Sequence, residues 1–158
     1  MTDIHSRPAT LNDLKMLIKS LNDNGVDYLL IGGYALFAHG YQRATTDIDI
    51  LVRASRQDGV KIKQALMILP DQAASELELD WFEEGENIRV ADEIVVDLMF
   101  SACSHTYETL NQYAQAIDLD GIPLKTISLY GLLLTKQTVR DKDISDRLIL
   151  ERALQLLS

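Results

Sequence analysis

Apolar residues recur along the chain with two periods, and each change of period marks a new element. In "TLNDLKMLIKSLNDNG", Leu11, Leu14, Leu17, Ile18 and Leu21 fall three and four apart, which predicts a helix capped by Thr10 and released at Gly25. "VDYLLI" is a short apolar strand running into Gly32-Gly33. "YALFAHG" is a short helix closed by Gly40, and "TDIDILVR" alternates as a strand does. "SRQDGVKIKQALMIL" predicts a helix begun at Ser55 and stopped before Pro70. Three strands are expected next, "ELELDWF", "NIRVA" and "EIVVDLMF", joined by "EEGE" and "ADE". "SHTYETLNQYAQA" reads as helical and "IDLDGIPLKT" as a hairpin around Asp120-Gly121. The helices "SLYGLLLTKQTVR" and "ISDRLILERALQLL" follow, divided by "DKD". This order predicts an α+β (mixed α/β) fold, a mixed sheet flanked by helices. No repeat or linker interrupts the 158 residues, so one domain over 1–158 is expected, with residues 1–9 a flexible N-terminus.

The apolar pattern is broken at two informative places. Asp47 and Asp49 sit in an otherwise β-prone run; on a strand they project from one face while Ile48 and Ile50 point the other way. Two ionised carboxylates side by side repel each other, and burial strengthens the repulsion. A strand end tolerates such a pair, and so does a divalent cation between the oxygens. Mg²⁺ suits best, because it takes a few carboxylates and completes its octahedron with water and phosphate. "VVDLM" repeats the theme with Asp97 alone among apolar residues, where a charge needs a partner. Asp97 can complete a three-carboxylate cluster, or form half of an ion pair with Arg43 or Arg89. Gly32-Gly33, at a strand end entering a helix, can expose backbone N–H groups to a phosphate or be a plain tight turn. Taken together, carboxylates for metal ions and a glycine turn for phosphate are the parts of phosphoryl or nucleotidyl transfer.

"IGGYALFAHGYQRATTDIDILV" with "VVDLM" resembles the nucleotidyltransferase superfamily of DNA-polymerase-β type. "GGYALFAHG", "RATTDID" and the late "LLLTKQTVRDKDISDRLIL" look most like its abortive-infection (AbiE-type) toxin branch and MenT-type relatives. The resemblance covers roughly residues 10 to 157. It implies a small mixed sheet with flanking helices, and catalytic, metal-binding roles for Asp47, Asp49 and Asp97, the last also helping to deprotonate the attacking hydroxyl. Gly32 and Gly33 match the triphosphate-contacting turn. Many active members carry serine after the first glycine, whereas here Gly33 is followed by Tyr34, so this contact is expected from the backbone only. The implied cofactor is Mg²⁺, with Mn²⁺ as a substitute.

Other residues remain open between two roles. Arg43, with Thr45 before the acids, can meet a phosphate or tether Asp97 or Asp49. Lys136 and Arg140, four apart on an expected helix, can reach a triphosphate together or pair with Asp141, Asp143 or Asp146. The resemblance favours Lys136 as a phosphate ligand. Tyr34 is the candidate to stack on a base, with core packing as its alternative, whereas Trp81 and Phe82 suit rim and core. His39 suits a helix cap. His5 and His105 lack partners at zinc-ligand spacing, and Cys103 reads as a semi-buried thiol.

Composition narrows the function classes. The lone cysteine precludes an internal disulfide, and no apolar run is long enough to cross a bilayer. "MTDIHSRPAT" lacks the apolar core of a signal peptide, so a cytoplasmic location is expected. A net charge of −9 argues against a general nucleic-acid coat but leaves room for a local basic cleft. The expected reaction moves an NMP from an NTP such as ATP to a hydroxyl or phosphate acceptor, with RNA (a tRNA end), a protein or a small molecule as acceptor. The alternatives are a nucleotide-binding scaffold without turnover and a toxin–antitoxin interaction protein, which would engage a protein partner or a second copy of the chain.

Overall fold

The computed structural model describes residues 6–41, 45–137 and 140–157. Its elements in chain order begin with α1 (Leu11–Asp23), β1 (Leu29–Ile31), α2 (Gly32–Ala38), β2 (Ile48–Leu51), α3 (Arg56–Leu66) and α4 (Leu79–Glu84). The strands β3 (Ile88–Ala91), β4 (Val95–Met99), β5 (Ser101–Ala102) and β6 (His105–Thr106) come next. After them are α5 (Tyr107–Leu110), β7 (Ala114–Leu119), β8 (Ile122–Ile127), α6 (Leu129–Leu134) and α7 (Asp141–Leu157).

Six strands form one mixed sheet in the order β3-β4-β2-β1-β8-β7. β2 runs parallel to β4 and β1 parallel to β8; the other pairings are antiparallel. Apolar residues that face inward fill the core, with Leu30, Ile48, Ile50, Val96 and Leu98 at most 1% exposed. α1 packs on α3 and β8, and α6 on α7 and α2. The expected cap of α1 is present: Thr10 Oγ1 accepts from the Asp13 backbone N–H, and Asp13 returns a bond to the Thr10 N–H. Among the described residues no helix is long and apolar enough to cross a membrane.

Three expectations are corrected. "ELELDWF" contains the start of α4 rather than a strand. Its alternation of Leu and acidic residues yields to Phe82, which is fully buried against Gly59 of α3 and meets Phe100 edge-on at 5.9 Å. "SHTYETLNQYAQA" is helical only at α5 and a following 3₁₀ turn. From Ala114 it becomes β7, because the Asp120-Gly121 hairpin pairs Ala114 with Ile127 and Gln115 with Thr126. The helix expected over residues 128–140 ends at Leu134, and "DKD" opens α7 instead of dividing two helices. Residues 6–9 make contacts with the rest of the fold. The Arg7 N–H donates to Glu93 O at 2.9 Å, the Ala9 N–H donates to Thr46 O at 3.0 Å, and Arg7 pairs with Asp13.

Candidate active site

The parallel pairing of β2 with β4 sets Asp49 opposite Asp97, and the antiparallel pairing of β3 with β4 sets Arg89 opposite Asp97. Asp47 precedes Asp49 by two residues and so lies on the same side. Arg89 meets both neighbours: Nη2 donates to Asp47 Oδ2 at 3.0 Å, and Nε lies 3.2 Å from Asp97 Oδ1. The three acids therefore share one face. Asp97 is thus the ion-pair partner of Arg89, one of the two readings its sequence left open, and it lies opposite Asp49 across the β2–β4 register.

These residues line a cavity of about 310 Å³. Thr45, Thr46 and Asn87 lie in its wall, as do four cations: Arg89, Lys136, Arg140 and Lys142. Four basic side chains thus line the same cavity as the three carboxylates, on a chain with net charge −9. Thr45 Oγ1 donates to Asp47 O at 3.3 Å, and Thr46 Oγ1 donates to Asp47 Oδ1 at 3.1 Å.

Gly32 carries the close approach at this site. Its φ is +75°, and a Cβ there would overlap the Asp49 carboxylate. Gly33 follows, buried in the first turn of α2. Gly32→Ala therefore meets both a left-handed backbone, worth about 1–2 kcal/mol, and a steric overlap. Gly25 has a similar φ of +67° with open space around it. In urea denaturation Gly25→Ala should lose only the backbone amount and Gly32→Ala clearly more. Equal losses would show that Asp49 does not press on Gly32.

The Asp49 carboxyl is pushed up to about 7, first by burial, then by the charge of Asp97 and a hydrogen bond with it; Lys136 and Lys142 pull the other way. The folded chain therefore binds more protons than the unfolded chain between pH 4 and 7, so this group's stability contribution is lost as pH rises through about 7. In metal-free melts, Asp49→Asn should gain on wild type more at pH 8 than at pH 5. A gain that is equal at both, or larger at pH 5, would refute the raised Asp49 carboxyl.

Asp47, Asp49 and Asp97 offer the hard oxygen donors that a divalent cation takes. Burial and the neighbouring charge of Asp97 make a proton or a cation favourable at Asp49, and a third acid lies two residues before it. As they stand, no three acidic, His or Cys side chains among the described residues converge into a ready cage; Arg89 draws Asp47 and Asp97 to itself.

Other assignments change. The Tyr34 hydroxyl donates to Ala9 O at 2.5 Å and its ring packs edge-on against Phe37 at 6.1 Å, so Tyr34 is a core residue and not a base-stacking one. The Lys136 ammonium is buried, 3.1 Å from Asp146 Oδ2 and 3.5 Å from Asp143 Oδ1. Arg140 Nη2 pairs with Asp143 at 2.9 Å. Lys136 and Arg140 do not share a helix face, because α6 has ended and α7 not begun; Asp143 is what brings them together. Trp81 is 40% exposed and Phe82 is core. The His39 ring contacts Ile127 O at 2.8 Å, and the Cys103 thiol donates to Thr135 O at 3.2 Å. Arg43 and His5 lie outside the described residues. Sequence reasoning treated Arg89 only as a structural partner and left out Lys142 and Asn87. Alternation with the buried Val90 was the signal that puts Arg89 on the acids' face.

Solved structures share this fold. A candidate nucleotidyltransferase from Thermotoga maritima aligns with a TM-score of 0.55 at 16% identity, over 92% of this chain and 87% of that one. An antigenic nucleotidyltransferase-like protein from Paracoccidioides brasiliensis aligns with a TM-score of 0.51 at 17% identity, over 92% and 78%. The chain thus has the fold of these nucleotidyltransferase-type proteins. No protein-family model and no curated protein matches it.

Proposed function

We propose that the chain is a metal-dependent nucleotidyltransferase. The observation that carries this reading is the meeting of three carboxylates, two of them on paired strands, with four cations at one cavity, on a fold shared with nucleotidyltransferase-type structures. The acceptor hydroxyl oxygen attacks the α-phosphorus of an NTP, the bond to the bridging oxygen breaks, and pyrophosphate leaves. Asp97 takes the acceptor proton. Asp47, Asp49 and Asp97 would hold Mg²⁺ or Mn²⁺, which supplies charge neutralisation at the phosphates when bound. Arg140, just before α7, and Lys142, in its first turn, line the cavity and would meet phosphate oxygens. Gly32 lets Asp49 lie against the backbone. RNA, protein and small molecules are the acceptor classes, and a cytoplasmic setting suits NTP chemistry.

A second reading, a nucleotide-binding scaffold without turnover, is favoured by Gly33-Tyr34. Tyr34 turns into the core, and Gly33 brings no hydroxyl to the phosphates. A toxin–antitoxin role, with a protein partner or a second copy of the chain, is compatible with either reading.

Incubation with each α-labelled NTP and Mg²⁺ or Mn²⁺, offering RNA, protein and small-molecule acceptors, tests the proposal. Label transfer with pyrophosphate release, lost in Asp47→Asn, is expected. NTP binding without pyrophosphate under every condition would select the scaffold.

A further inference from the structure

Arg89 lies on β3, the edge strand of the sheet, and its side chain is 46% exposed. Its guanidinium spans from Asp47 to Asp97 and so covers two of the three acids with one fork. The oxygens it engages are the hard anionic donors that a divalent cation takes. A guanidinium and a dication repel, and the fork blocks the cation's approach to those oxygens. An edge-strand side chain can swing away without unpacking the core. Arg89 also lines the cavity with Arg140 and Lys142, so a swing within it keeps the guanidinium beside any phosphate there.

We propose that Arg89 is a built-in competitor for the metal: it neutralises Asp47 and Asp97 in the nucleotide-free chain and transfers to phosphate oxygens when a triphosphate enters. This rests on the nucleotidyltransferase reading above and adds an order to it. Metal alone loads weakly, triphosphate strengthens metal loading, and by reciprocity metal strengthens triphosphate binding by the same factor. The site therefore holds metal firmly only when its substrate is present.

The test is Mn²⁺ binding, read from the electron paramagnetic resonance of the free ion, first with Mn²⁺ alone and then with inorganic triphosphate, corrected for Mn²⁺–triphosphate complexes in solution. Arg89→Ala should bind Mn²⁺ alone about tenfold tighter than wild type, since two ion pairs and a positive charge no longer oppose it. It should bind triphosphate in EDTA several-fold more weakly and lose most of the gain in Mn²⁺ affinity that triphosphate gives wild type. Arg89→Lys keeps a point charge without the fork and should fall between. Arg89→Gln repeats the measurement should Arg89→Ala melt early. Mn²⁺ affinity in Arg89→Ala and Arg89→Gln equal to or weaker than wild type overturns the competition. If that affinity is also abolished by Asp49→Asn, the transferase reading stands and only the role of Arg89 falls. Absence of Mn²⁺ binding in wild type and in every Arg89 variant overturns both.

Discussion

Asp97→Asn is expected to lower nucleotide transfer by about a thousandfold while leaving NTP affinity measured in EDTA within a few-fold of wild type. A positioned general base contributes about 10²–10⁴ in rate, and an amide of nearly the same shape takes no proton. The cations at the cavity, Arg140 and Lys142 among them, remain to hold the triphosphate. The variant also has a signature that misfolding cannot imitate. The charge of Asp97 and its hydrogen bond help hold Asp49 up at about 7, so removing them lets the Asp49 carboxyl fall back toward its ordinary range. Metal-free stability at pH 8 should hold or rise while activity disappears. Pyrophosphate release at saturating NTP gives the rate, calorimetry the affinity, and a thermal melt the stability. Retention of a tenth of wild-type turnover would remove Asp97 from the role of base.

The strand acids were legible because β periodicity is local: alternation alone puts Asp47 and Asp49 on one side of β2. That Asp97 joins them depends on the parallel register of β2 with β4, which no local pattern states. Arg89 was harder. Its partners are 8 and 42 residues away, and only the edge position of β3 brings it over both. Element types were misread where tertiary packing overrode local pattern. The Leu-acid alternation of "ELELDWF" looks like a strand, yet burial of Phe82 against Gly59 fixes a helix there. "QYAQA" has helix-forming residues, yet the hairpin at Asp120-Gly121 recruits its end into β7. The two readings of Lys136 were chemically equal in sequence. The turn at Thr135-Lys136, where the Thr135 hydroxyl donates to Leu132 O at 2.6 Å, brings the ammonium to Asp146 of α7, and that pairing depends on a tertiary contact no local pattern states.

Lys136→Met should consequently show itself first as lost stability, by about 3–5 kcal/mol, the cost of removing one partner from a buried ion pair. For a chain of this size that lowers the melting temperature by about 10 °C. Lys136, Asp143 and Asp146 are 6%, 0% and 1% exposed, so water does little to screen the two carboxylates once the ammonium is gone. Arg140 meets Asp143 from an exposed position and compensates only in part. Asp146→Asn in the Lys136→Met background restores the charge balance and should recover most of the loss, a coupling that a double-mutant cycle measures directly. The network reaches the chemistry as well. The Lys136 carbonyl accepts from the Arg147 guanidinium, which pins the turn, and the Lys136 charge pulls the Asp49 carboxyl down. Without it Asp49 keeps its proton to higher pH, and since a metal must displace that proton, metal loading should move to higher pH. A direct triphosphate ligand predicts the opposite ranking, a normal melt with triphosphate affinity lost at every pH. That outcome would return Lys136 to the role its sequence resemblance implies.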